Sequence, residues 1–338
     1  MSDSALIVKA NNTIRVLDKD HRDASCRALS NMLSTDIAQQ TYAQILDGLP
    51  TEESLLEGSP YKHTLMCAAL DPYHMQFDEY LLKSFQDANK GSEEYNIRLV
   101  ELTVVACHQI AVYFFNLDDG AHNHQLYQDW AQQRRMEQIL TSEVRDIIPP
   151  SAFFHTSYTY FDQYPQGLAD VAGDWAEGRI FGGVVVFDRG ETESECKSMW
   201  IHGARLRGPT TLYPPTPDQF DSFINFLLSD PEERTTCPLP IHGKNENRPR
   251  WHPYDALAKY HIFRDKYERR LPLEHPKREC MLVNADWPEL ADEYIVNNTD
   301  FIRREGGVVT DEQIAAALAR LKEVTPSSPC WHPSLEKK

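Results

Sequence analysis

Between Asp170 and Gly190 the chain reads "DVAGDWAEGRIFGGVVVFDRG", a run whose side chains could move protons. If its first half is helical, Asp170, Asp174 and Glu177 share one face. Carboxylates crowded in that way raise the pKa of at least one of their number. A protonated carboxyl beside the indole of Trp175 is a candidate general acid or base. The ionised cluster could instead grip a guanidinium through charge-assisted bonds. Asp170, Glu177 and Asp188 are therefore catalytic candidates, with Trp175, Arg179 and Arg189 as candidates for holding substrate. Asp188-Arg189 could pair with each other, orient a substrate or only start a turn. His202, in the next strand, joins the catalytic candidates, and with Arg205 and Arg207 it could bind an anion. The whole stretch also fits a surface helix docked on a hairpin, with its strand-end charges solvated.

A second chemistry is suggested nearer the N-terminus. "LDDGAHNH" gathers Asp118, Asp119, His122 and His124, and carboxylates with imidazoles suit zinc or iron. His108, on the preceding helix, could supply a third ligand, and His74 and Asp78 would point the same way. The same residues are also what a polar connection between helices contains. The leading expectation is that no cofactor is used, with a divalent metal as the alternative. There is no GxGxxG, P-loop, GxSxG, HExxH or paired CxxC. Their absence argues against dinucleotide oxidoreductases, P-loop NTPases, elbow-type serine hydrolases and common zinc proteases.

Composition narrows the partners. The 338 residues carry 34 basic and 51 acidic side chains, a net charge of -17 that repels nucleic-acid phosphates and argues against general nucleic-acid binding. Residues 241–280 depart from this, with ten Lys/Arg against six Asp/Glu, either a solvated helix or a place for a phosphate-rich partner. The seven cysteines are scattered, and "MSDSALIVKANNTIRVLDKD" lacks a basic start followed by an apolar core. Reduced thiols and a cytoplasmic location are expected. Leu99 to Phe115 is apolar but broken by Glu101, His108 and Gln109, and it reads as a buried helix with no membrane span.

The elements that must position these groups follow from caps and periodicity. Residues 1–150 read as mostly helical: Asp71-Pro72 opens a helix to about Phe85, Ser92 opens a long one to about Asn116, and a third covers Gln125 to Leu140. Residues 151–325 change character. "SAFFHTSYTYFDQYP" has the aromatic and hydroxylic composition of strands, and Gly183–Asp188 with Ser198–His202 forms a hairpin, followed by a short run at "TTLYP". Capping boxes at Thr216 and Thr310 start two amphipathic helices, and "YDALAKYHIFRDKYERR" reads as a basic helix. Residues 326–338 form a loose tail. The expected fold class is α+β: a helical N-terminal half, then an antiparallel hairpin sheet with packed helices, in one integrated unit.

"YFDQYPQGLADVAGDWAEGRIFGGVVVFDRGE", "WIHG" and "IFRDKYERRLPL" resemble a set of uncharacterised ascomycete proteins of fungal secondary metabolism, over about residues 155–290. In them an aspartate precedes Trp-Ala-Glu and a Gly-Gly-Val strand that ends in Asp-Arg. The set is similar to the fungal arginine-containing cyclodipeptide synthases, transferases that condense arginine with a second amino acid, both delivered as aminoacyl-tRNA. The resemblance implies that the Asp170/Glu177 neighbourhood handles the arginine side chain or deprotonates the amine. Arg264 would join the substrate-binding residues, and the 241–280 stretch would touch tRNA. Asp174 stands where the pattern has tyrosine, so the resemblance gives that position no role.

Overall fold

The computed structural model describes residues 13–47, 75–117, 125, 128–129, 132–133, 151–203, 209–230, 236–265, 286–325, 327–328 and 330–331. Side-chain caps set where the first helices begin. Asp18 accepts from the His21 N–H at the start of α1 (Lys19–Leu33), and α2 (Asp36–Asp47) follows after a short turn. Asp78 caps α3 (Glu79–Asp87), and Ser92 caps α4 (Glu93–Phe115). A second group of elements starts with α5 (Leu168–Phe181), which a left-handed Gly182 (φ 99°) ends before β1 (Gly183–Asp188). Then come β2 (Met199–Gly203), β3 (Leu212–Tyr213), α6 (Pro217–Leu228), α7 (Pro253–Ala258), β4 (Ile262–Phe263), α8 (Pro288–Arg304) and α9 (Asp311–Lys322).

The strands form one antiparallel sheet in the order β3-β2-β1-β4, with Val185 opposite Ile201, Val184 opposite His202, and Phe187 opposite Phe263. Alternation sorts the side chains of β1 onto two buried faces. Val185 and Phe187 join a large core with α1, α2, α4, α5 and α6, while Val184 and Val186 join a smaller one with Tyr158, Val171 and Trp200. Burial on both faces is why this strand is a continuous apolar run and not an alternating one. α4 lies along α5, α2 packs on both, and α1 packs on α6. The larger core thus draws on residues both before and after position 150.

The fold is α+β, as expected, and both capping boxes are present at Thr216 and Thr310. Other expectations are corrected. The aromatic run after Ser151 is no strand. It forms one isolated bridge, His155 to Tyr158, and a 3-10 turn at Phe161–Gln163. Its rings serve as core plugs: Phe153 meets Phe115 and Trp175 edge-on. Among its described residues the basic stretch is helical only over Pro253–Ala258, and Ile262–Phe263 is drawn onto the edge of β1. The expected helix at Gln125 to Leu140 lies almost wholly outside the described residues, as does the start at Asp71-Pro72.

Candidate metal centre

α4 and α5 are facing walls of one site, and each supplies it through a regular spacing. On α4, Glu101 and His108 are seven residues, or two turns, apart and therefore on one face. On α5, Asp170, Asp174 and Glu177 line the opposing face. A glycine lets the two helices close. A Cβ at Gly173 would sit 2.6 Å from His108 Nε2, so only a hydrogen at that position leaves room for the imidazole. The ring then bridges the carboxylates, with Nδ1 2.7 Å from Glu177 Oε1 and Nε2 3.3 Å from Asp170 Oδ1. Glu177 Oε2 accepts the Val185 N–H at 3.0 Å, which ties the carboxylate to the start of the sheet.

The far wall comes from the residue after β4. The Arg264 guanidinium donates from Nη1 to Glu177 Oε1 and from Nη2 to Asp174 Oδ1 at 3.3 Å. A buried strap holds its main chain. Arg189 donates to the Arg264 carbonyl at 3.0 Å and to the Phe263 carbonyl at 3.1 Å, and its third arm reaches Glu101 Oε1 at 2.6 Å. Arg98 satisfies the other oxygen of Glu101 at 2.9 Å.

Little water reaches these groups. Side-chain exposure is 0% at Glu177, 2% at Asp174, 9% at Arg264, 12% at His108 and 15% at Asp170. Burial and the Arg264 charge both act to lower the His108 pKa. The bonds to Asp170 and Glu177 and the Glu177 charge outweigh them, raising it to about 9. Burial acts to raise the Glu177 pKa, but Arg264 and His108 overcome it and hold the carboxyl below its ordinary value. Three carboxylates against Arg264 and a protonated His108 leave one negative charge in excess, or two if His108 is neutral. The cluster has room, electrostatically, for another cation.

His108, Asp174 and Glu177 each turn a donor atom toward the others, and these atoms all lie within 4.8 Å of one another. A buried imidazole with two carboxylates is a donor set for zinc, iron or manganese. This corrects the expectation that no cofactor is used and favours a metal. His108 was among the expected ligands, but its partners come from α5; His122 and His124 lie outside the described residues, as do His74, Arg205 and Arg207. An open cleft of about 520 Å³ borders the cluster, with His108, Asp170, Asp174 and Arg264 in its wall.

The other candidates of the opening stretch are placed elsewhere. Trp175 is in the core, 3% exposed, with Arg179 stacked over its ring at 5.8 Å. Asp188 accepts the Gly190 N–H at 2.9 Å in the turn after β1. His202 is fully buried on the far side of the sheet, its Nδ1 3.0 Å from the Tyr158 hydroxyl. Asp170, Glu177, Asp188 and His202 therefore do not converge. Arg264 and Asp174, by contrast, stand beside Asp170 and Glu177. Gly173 and the Glu101–Arg189 strap were missed, because a lone glycine and a lone acid in an apolar helix give no local sign of what they meet.

Fold and site together define an α+β protein with a buried His/Asp/Glu cluster suited to catalysis or metal binding. No protein-family model matches the chain, and no match is found among curated proteins or solved structures.

Proposed function

We propose that the protein is a metal-dependent enzyme of the lyase or cyclase kind, acting on a small polar molecule in the cleft beside His108. The observation that carries this reading is the convergence of His108, Asp174 and Glu177, three buried donors on two facing helices with an excess of negative charge. These three residues would hold the ion, which as a Lewis acid would polarise a substrate oxygen. Asp170 accepts from His108 Nε2 and so orients the ring, the usual partner of a ligating histidine. It also borders the cleft, placed to take a proton from a bound molecule and return it. Gln109 and Tyr164 offer neutral hydrogen-bonding groups along the wall, and Val105 and Val112 an apolar strip. Protein purified without chelators should carry roughly one equivalent of a transition metal, lost in Glu177→Gln. Less than about a tenth of an equivalent, after incubation with manganese or zinc, rules the reading out.

A second reading is favoured by the way Arg264 is held. Asp174 and Glu177 accept both terminal nitrogens of a guanidinium, so the same carboxylates suit a substrate guanidinium, the chemistry that the cyclodipeptide synthase resemblance implies. Of the 241–280 stretch that would meet tRNA, residues 266–280 lie outside the described residues. Expression in a bacterial host tests this reading: soluble protein that yields no arginine-containing cyclic dipeptide removes it.

A further inference from the structure

Arg264 occupies the atoms that a metal ion needs. Its Nη1 donates to Glu177 Oε1, and its Nη2 lies 3.3 Å from Asp174 Oδ1 and 3.5 Å from His108 Nδ1. The guanidinium therefore touches each of the three residues whose donor atoms converge. Glu177 Oε1 already faces both His108 and Arg264, and two cations brought to the same oxygen repel each other. An ion coordinated there has to dislodge the guanidinium. Only the side chain can yield, because Arg189 grips the Arg264 and Phe263 carbonyls and Phe263 is paired with Phe187 in the sheet. A new position is at hand: Asp265, half-exposed in the cleft wall, has its carboxylate 3.9 Å from Arg264 Nε.

We propose that Arg264 is an internal counter-cation that competes with the metal for His108, Asp174 and Glu177, and that metal loading turns its side chain out into the cleft toward Asp265. This inference rests on the metal-dependent reading above. While the site lacks an ion, the guanidinium shares with His108 the neutralisation of the buried Asp174 and Glu177 carboxylates. When an ion is bound, the same side chain, already in the cleft wall, presents its charge to the cleft instead of to the cluster. Competition also makes Arg264 a determinant of metal choice. Ions that gain from an imidazole ligand, such as zinc and iron, displace it more readily than magnesium or calcium, which prefer oxygen donors.

Calorimetric titration of manganese and zinc into wild-type protein, Arg264→Met and Arg264→Lys tests the proposal, with circular dichroism confirming that each is folded. The methionine variant should bind at least about tenfold more tightly than wild type, and the lysine variant, which keeps the charge but loses the fork, should fall between them. The lysine variant keeps the test open if the methionine variant does not fold. Equal or weaker binding by the folded variants overturns the competition and leaves the metal site standing. No binding by any of the proteins, wild type included, overturns the metal reading and this inference with it.

Discussion

His108 is poised as an imidazolium between Asp170 and Glu177, and that gives the site a pH signature. Burial and Arg264 oppose the proton, the two carboxylate bonds win, and the folded pKa is about 9, against roughly 6.5 for a free imidazole. The raised value means that the folded state keeps a proton the unfolded state has released. The resulting stability is complete below about pH 6.5 and is lost as pH rises through about 9, for a total of roughly 3 kcal/mol. Urea midpoints of metal-free protein across that window should show the fall, and His108→Asn should flatten it. An ion must displace the same proton, so metal affinity should rise about tenfold per pH unit up to about pH 9 and then level off. Much of this is hidden from local sequence. Asp170, Asp174 and Glu177 announce themselves by helical spacing, but His108 is 69 residues from Glu177, and Arg264 is 87 residues away.

The site works because elements far apart in sequence are tied together by buried polar contacts. α4 delivers both His108 and Glu101, and Glu101 is the anchor for Arg189, which in turn holds the strand end that carries Arg264. Glu101 faces two guanidinium groups, and its side chain is 6% exposed. Glu101→Gln leaves two buried cations without their counter-charge and should cost about 3–5 kcal/mol in urea unfolding. A loss of under about 1 kcal/mol would mean that the strap is not holding α4 to β4. Helix starts were readable at Ser92, Thr216 and Thr310, where a side chain caps the backbone, while the caps at Asp18 and Asp78 were not read. The short β4 was not, since Ile262-Phe263 is a strand only because the edge of β1 is there to receive it. The rings of Phe153 and Tyr158 misled for the opposite reason, being buried as plugs without a ladder.

At the scale of the molecule, charge and shape agree with a site that takes cations. A net charge of -17 raises the concentration of metal ions near the surface and repels phosphates, and the cleft repeats that bias with Asp170, Asp174 and Asp265 in its wall. α4 is long and apolar enough to cross a membrane by composition, yet 72% of its most apolar window is buried against the rest of the protein. That burial makes α4 a rigid support for the centre it carries. The α+β class was legible from capping boxes and apolar runs, while the meeting of α4 with α5 was set by contacts such as His108 on Gly173 that no single segment displays. Crystals soaked in manganese and measured at an absorbing wavelength give the most direct test. An anomalous peak enclosed by His108 Nδ1, Asp174 and Glu177, with the Arg264 side chain moved off them, is the predicted result. A map with no peak there and the guanidinium still bonded to Glu177 would contradict it.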